Sequence, residues 1–262
     1  MAANNIAICN MALSKIGARA ITALSDETES ARALNAVYNE VLDEVLSEHL
    51  WTFAQKRAEL VDITHPNNSG ESPSVWATTT AYAIATQVSQ TSAYYTCITA
   101  HTSGTFATDL TSGYWVECEE IVMTDDGMGN VYYKPSDLVS LNFVNTKTAT
   151  YRVEEQGILS DTADLEIIYT YRNTTTTTYH SAFTLALATR LAAEVCYRLT
   201  EDAQKAAYLF KEYEEVKLPK AKSFDSQQGT PQGILQDEWE TARNQGGTSS
   251  STRSWDGWFP TS

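Results

Sequence analysis

The sequence predicts an α+β protein: a helical bundle of about four helices with a small antiparallel sheet, an inserted small all-β module and an extended C-terminal tail. Three observations carry this. Apolar residues recur at helical spacing near the start of the chain and again after residue 181. Between them, residues 73–119 are rich in Thr, Ser and aromatics and alternate like strands. The final stretch, 223–262, is polar and rich in Gly, Ser and Thr.

Ile6, Cys9, Leu13 and Ile16 define a first helix, and Gly17 is its stop signal. A second runs from about Glu29 to Glu48, with Leu34, Val37, Val41, Val45 and Leu46 on its apolar face. Asp26, Glu27 and Glu29 place acids near its start, where the helix dipole favours them. Trp51 and Phe53 then lead into extended chain. "HPNNSGESPS" has loop composition and separates this part from the module.

After the module, "IVMTDDGMGNVYYKP" reads as a hairpin: Ile121–Met123, a turn over Asp125–Asn130, then Val131–Tyr133. Further strands are expected at "VSLNFVN", "ATYRVEE" and "LEIIYTYR". The threonine run 173–178 links them to a third helix, Ser181 to Leu199. Its Ala182, Ala186, Ala188, Ala192 and Ala193 permit close helix approach. Thr200 is the expected cap of a fourth helix, with Leu209, Phe210, Tyr213 and Val216 on its face and Pro219 at its end. From about Lys220 the chain reads as extended, with one helical turn near "ILQDEWETARN". The domain division is therefore 1–72 plus 120–222 for the core, 73–119 for the module and 223–262 for the tail.

A formal net charge of -15 argues against a DNA-binding surface, which needs clustered Lys and Arg. It is compatible with a wall that DNA slides past without sticking. No apolar run is long enough to span a bilayer, and the N-terminus lacks the pattern of a signal peptide, so a cytosolic product is expected. Cys9, Cys97, Cys118 and Cys196 form no CxxC pair and are expected as free thiols, Cys9 and Cys196 as small buried hydrophobes.

Little looks catalytic. His49, His65, His101 and His180 have no metal-ligand spacing, and no nucleophile elbow, P-loop or dinucleotide fingerprint appears. "DDGMGN" lacks the alternating ligands and closing glutamate of a calcium loop, and reads as a hairpin turn. The pairs Glu119–Glu120 and Glu154–Glu155 read as solvated strand edges. No catalytic residue, metal site or cofactor is expected, and the chain is not expected to be an enzyme. Trp76, Tyr82, Tyr94, Tyr95, Phe106, Tyr114 and Trp115 crowd the module. Such rings either stack on a sugar or a partner or form the module's own core. Trp76, Tyr82, Tyr95 and Trp115 are the candidates for glycan or partner contact.

The chain resembles the tail tubular protein A family, the head-to-tail adaptors of short-tailed bacteriophages. The resemblance rests on Asn10, Ala12, Leu13, Ile16 and Gly17; then Ala31, Arg32 and Tyr38; then Trp51, Phe53, Ala54 and Arg57. The later blocks "YYKPSDLVSLNFV" and "LEIIYTYR…FTLALATRLAAEVCYRLT" are also similar to that family. The match runs to about residue 222 without the module. The module itself resembles the carbohydrate-binding modules of chitinases through Trp76, Tyr82, Val88, Tyr94, Tyr95, His101, Thr102, Ser103, Gly104, Trp115 and Val116. Ala85 stands where that pattern has glycine, so its turn is expected to differ.

The resemblance implies a structural virion protein: a ring, dodecameric in the family, docked beneath the portal at the capsid vertex and made in the host cytoplasm. Its partners would be the portal ring, the tail nozzle protein and further copies of itself. DNA would pass without specific binding, and no membrane is involved. Arg253, Trp255, Trp258 and Phe259 in the polar tail would be the portal-binding anchors. The competing expectation is a carbohydrate-binding or cell-wall-acting tail component, with glycan or tail-fibre contact through the module.

Overall fold

A computed structural model describes residues 4–70, 72–120, 128–144, 150–154 and 157–228. Helix α1 spans Asn5–Ile16; the Asn4 side chain accepts from the Ala7 N–H, and Gly17 closes the helix in the left-handed region at φ 77°. Asn10 then clamps the next segment: its side-chain amide donates to the carbonyl of Ile21 at 2.9 Å and accepts from the Ile21 N–H at 2.8 Å. Helix α2 spans Glu29–Ser47 and is capped by Thr28. After a 3-10 turn at Thr52–Ala54 comes strand β1, Gln55–Glu59, and then a one-turn helix α3, Pro66–Ser69.

The module begins with β2 (Ser74–Val75), β3 (Ala81–Tyr82), β4 (Gln87–Gln90), β5 (Ala93–Cys97) and β6 (His101–Thr102). It ends with α4 (Phe106–Thr111) and β7 (Trp115–Glu117). The strands form a four-stranded sheet in the order β2-β4-β5-β7 and a two-stranded β3-β6 ribbon. Helix α4 has no counterpart in the strand pattern read from the sequence. Its signal is local: Thr105 accepts from the Thr108 N–H, and Asp109 turns inward to accept from Gly104 N. Where the chain enters and leaves the module, Thr64 and Glu119 are bridged in parallel, and the His65 N–H donates to the Glu119 carbonyl at 2.8 Å.

Next come strands β8 (Asn130–Tyr133), β9 (Leu138–Val144), β10 (Tyr151–Val153), β11 (Gly157–Ser160) and β12 (Glu166–Tyr171). They form two three-stranded antiparallel sheets, β1-β12-β9 and β10-β11-β8, in place of one. Strand β8 pairs with β11, which the sequence pattern did not mark; the expected partner at Ile121–Met123 lies outside the described residues. Leu60, Tyr132, Ile158, Leu165, Ile167 and Tyr169 form the core of this region.

The threonine run contains a 3-10 turn, Thr176–Thr178, before helix α5, Ser181–Thr200. Helix α6 spans Ala203–Glu212, a π-helical turn spans Tyr213–Lys217, and helix α7 spans Leu218–Ser226. Helix α5 is the central one, packing against α1, α2, α6 and α7. Its Ala186, Leu187, Ala188, Leu191 and Ala192 are fully buried, as small side chains at a close helix crossing should be. Half-buried Arg190 crosses to Glu44 of α2 at 2.9 Å and pairs one turn on within α5 with Glu194 at 2.7 Å.

Two expected boundaries move. Thr200 ends α5, Glu201 takes the left-handed closing position, and Asp202 caps α6 through the Lys205 N–H. Both positions carry cap-forming residues, and the left-handed turn selects the later one. Pro219 does not end the helix. The preceding π turn widens it, with the Leu218 N–H reaching the Tyr213 carbonyl, and proline then occupies the first turn of α7. Residues to Ser226 are therefore helical, and Ala221 and Asp225 are buried, although the sequence pattern starts an extended tail at 223.

Candidate functional site

The module's rings sort into two groups. Trp115 is 2% exposed and Tyr82 8% exposed; with Val88 and Cys97 they are the module's core. Trp115 meets Tyr82 edge-to-face at 5.0 Å, and the Tyr82 hydroxyl accepts from the Ala77 N–H. A ring with no free face cannot stack on a sugar, so Trp115 and Tyr82 are corrected from contact candidates to structural residues. Trp76 and Tyr95 are half-buried and meet Phe106 edge-to-face at 5.6 and 4.8 Å.

His101 lies beside them with its side chain largely covered. Its Nδ1 lies 2.8 Å from the Thr99 carbonyl and its Nε2 3.7 Å from Asp109 Oδ2. Cys97 Sγ points at the same carbonyl at 3.2 Å, and burial raises its thiol above the usual cysteine range. Ala85 sits at φ 67° and donates its N–H to the Cys97 carbonyl at 2.8 Å. The alanine has therefore adopted the left-handed backbone that a glycine takes freely, at a steric cost.

The second constellation lies in the helical body. Trp51 is fully buried, and its indole N–H donates to the Val45 carbonyl at 2.8 Å. Phe53, Phe183, His49 and His180 surround it. Asp225, 1% exposed, reaches in from α7 and accepts from Thr52 Oγ1 at 2.8 Å and from the Thr52 N–H. Sequence reasoning missed this grouping because its members come from three separate stretches, 49–53, 180–183 and 225; the signal available was a histidine beside aromatics in both "HLWTF" and "YHSAF".

No protein-family model matches the chain, and no curated protein matches it.

The residues that carry the adaptor resemblance have framework roles. Asn10 clamps Ile21, Gly17 closes α1, Arg32 pairs with Glu27, and Leu13, Ala31, Trp51 and Ala54 are fully buried. All four cysteines are free and buried; burial pushes Cys9 up to about 12 and raises Cys118. Among the described residues no group of three His, Cys, Asp or Glu side chains could hold a metal ion. Among them, too, no helix is long and apolar enough to cross a membrane. Arg253, Trp255, Trp258 and Phe259 lie outside the described residues.

Proposed function

We propose that this chain is a head-to-tail adaptor of a phage virion, a non-enzymatic ring component between portal and tail nozzle at the portal vertex. The observation that carries the reading is the order of the motif blocks. "NMALSKIG", the Ala31–Arg32 helix, "LWTFAQKR" and the two later blocks occur in sequence. They fall on α1, α2, β1, β8, β9, β12 and α5, on either side of the module. The charge supports it: twelve copies at -15 each would carry about -180, and a like-charged channel wall repels DNA. No cofactor or membrane has a role in this reading, and DNA passes unread.

In the same reading Arg253, Trp255, Trp258 and Phe259 anchor the chain to the portal. Burying three aromatics yields about 11–19 kcal/mol, whereas ordering about fifteen residues costs about 15–30 kcal/mol. The anchors would therefore need added backbone hydrogen bonds, such as a strand added to the portal, and tethering by the body. Electron microscopy of purified protein mixed with portal rings tests the whole reading. A ring of density beneath the portal is expected, weakened when Trp255 and Trp258 are changed to Ala. Full-length protein that leaves portals bare overturns it.

A second reading, glycan contact by the module, is favoured by the half-buried rings of Trp76 and Tyr95. Polysaccharide pull-down by the whole protein, lost in Trp76→Ala, would support it; pull-down unchanged in that variant would remove it.

A further inference from the structure

Three chain segments meet at Asp225: the turn after α2, the N-terminus of α5, and α7. His49 Nε2 lies 3.5 Å from Asp225 Oδ2, and His180 Nε2 lies 3.6 Å from Oδ1. The hydroxyl and the N–H of Thr52 donate to the same carboxylate. On the far side of its ring, His180 Nδ1 accepts the Phe183 N–H at 3.1 Å and so caps α5. That bond fixes the tautomer. Nδ1 is bare, the single proton sits on Nε2, and Nε2 faces the carboxylate. Neutral His180 thus caps α5 through Nδ1, while its buried Nε2 faces Asp225 from 3.6 Å without a hydrogen-bond partner.

A second proton on His180 can go only to Nδ1. There it would point at the Phe183 N–H, two donors head to head, and the cap would be lost. Relieving that clash means turning the ring, which takes Nε2 away from Asp225 and breaks the 5.0 Å packing of His180 against Phe224 of α7. Burial and His49 oppose an extra charge on His180, while Asp225 favours it. His49 shares the same carboxylate and is itself disfavoured from charging by Lys222 of α7, which pairs at 3.3 Å with Glu48, the residue after α2. Lys217 and Lys220 lie along the groove at Ser181 and Ala182, with Lys217 bridged to Glu212 at 3.1 Å. The aromatic wall is Trp51, Phe53, Phe183 and Phe224.

We propose that His49, His180 and Asp225 form an acid-released latch that holds α7 to the body at neutral pH and frees it when His180 takes a second proton.

Burial holds both imidazoles below the ordinary histidine value, more strongly than Asp225 pulls them up. Linkage gives the sign. Groups whose titration is depressed in the closed form favour closure fully above the ordinary value of about 6.5, and closure is lost as pH falls below it. Each pH unit in that window shifts the opening equilibrium by up to about tenfold for one proton.

Hydrogen exchange read by mass spectrometry tests this on the full chain at about pH 7.5 and about pH 5.5, either side of the ordinary histidine value, with intrinsic rates corrected. Amides of 218–226 are expected to lose about tenfold protection at the lower pH. In His180→Asn, whose amide oxygen still caps Phe183 but does not titrate, that loss should shrink to what His49 alone supplies. Wild-type α7 protected equally at both pH values overturns the latch, as does a full acid loss retained in His180→Asn. Asp225→Asn keeps both imidazoles and the α5 cap and carries the test if His180→Asn does not fold. Its α7 should exchange fast already at the higher pH, and wild-type protection there overturns the proposal.

Discussion

The indole N–H of Trp51 donates to the carbonyl of Val45, 2.8 Å away in the last turns of α2. Helices end with carbonyls that have no intrahelical partner, so this bond satisfies one of them with a side chain that is also a core residue. Trp51→Phe should cost about 1–3 kcal/mol by orphaning that carbonyl. Trp51→Ala should cost about 3–5 kcal/mol through the cavity it adds. Urea melts of the two variants check the order.

Gly157 has no room for a methyl group. A Cβ there would lie 2.7 Å from the Tyr132 carbonyl oxygen and 2.8 Å from Val131 Cγ1. Backbone must move, so Gly157→Ala should destabilise the β8–β11 pairing, by about 1–3 kcal/mol. Faster hydrogen exchange at 130–133 with little change in α5 would locate the damage; an unchanged melt would refute it.

Ala85 points the other way. Its left-handed backbone costs a non-glycine residue about 1–2 kcal/mol, and glycine gives back about 0.5–1 kcal/mol in flexibility. Ala85→Gly should therefore stabilise the module by about 0.5–1 kcal/mol, read as a higher denaturation midpoint of the module's tryptophan signal.

The thiols should be silent in the native state. All four are buried, and Cys9, Cys97 and Cys118 are held protonated by burial. A disulfide-exchange reagent at mildly alkaline pH should consume almost nothing from folded protein, and four thiols per chain after unfolding in guanidinium. Rapid reaction of one native thiol would show that its burial is breached.

Excising the module tests whether it folds separately. Its entry and exit at Thr64 and Glu119 are paired side by side, so a short linker can replace 73–119 with little loop-closure cost. The shortened chain should keep one cooperative helical melt. Loss of that melt would make the module part of the core.

Strong periodicity made α1, α2 and α5 legible, because a buried face every three or four residues leaves a dense pattern. The failures were local ties or distant pairings. Thr200 and Asp202 are both cap-forming residues, and only the left-handed Glu201 between them decides. Strand β11 is four residues, bounded by Gly and Ser, and reads as a turn until β8 and β10 are laid beside it. Trp115 and Tyr82 looked available for contact because residue type does not say which rings turn inward, and a module this small spends its largest rings on its own interior. Asp225, His49 and His180 stand in unrelated stretches, and no spacing rule joins them.

The π turn at Tyr213–Lys217 sets the rotational phase of α7. Each residue of an α-helix turns the chain by about 100°, so removing one residue from this turn would restore a regular α-helix and rotate α7 by that amount. Hydrogen bonding along the helix would improve while Ala221 and Asp225 swung out of the interior. The irregular turn therefore acts as a phase correction. It lets Leu209 and Tyr213 on one side, and Leu218, Ala221 and Asp225 on the other, face the same interior. A deletion that looks conservative by helix propensity would uncouple the two ends of this helix.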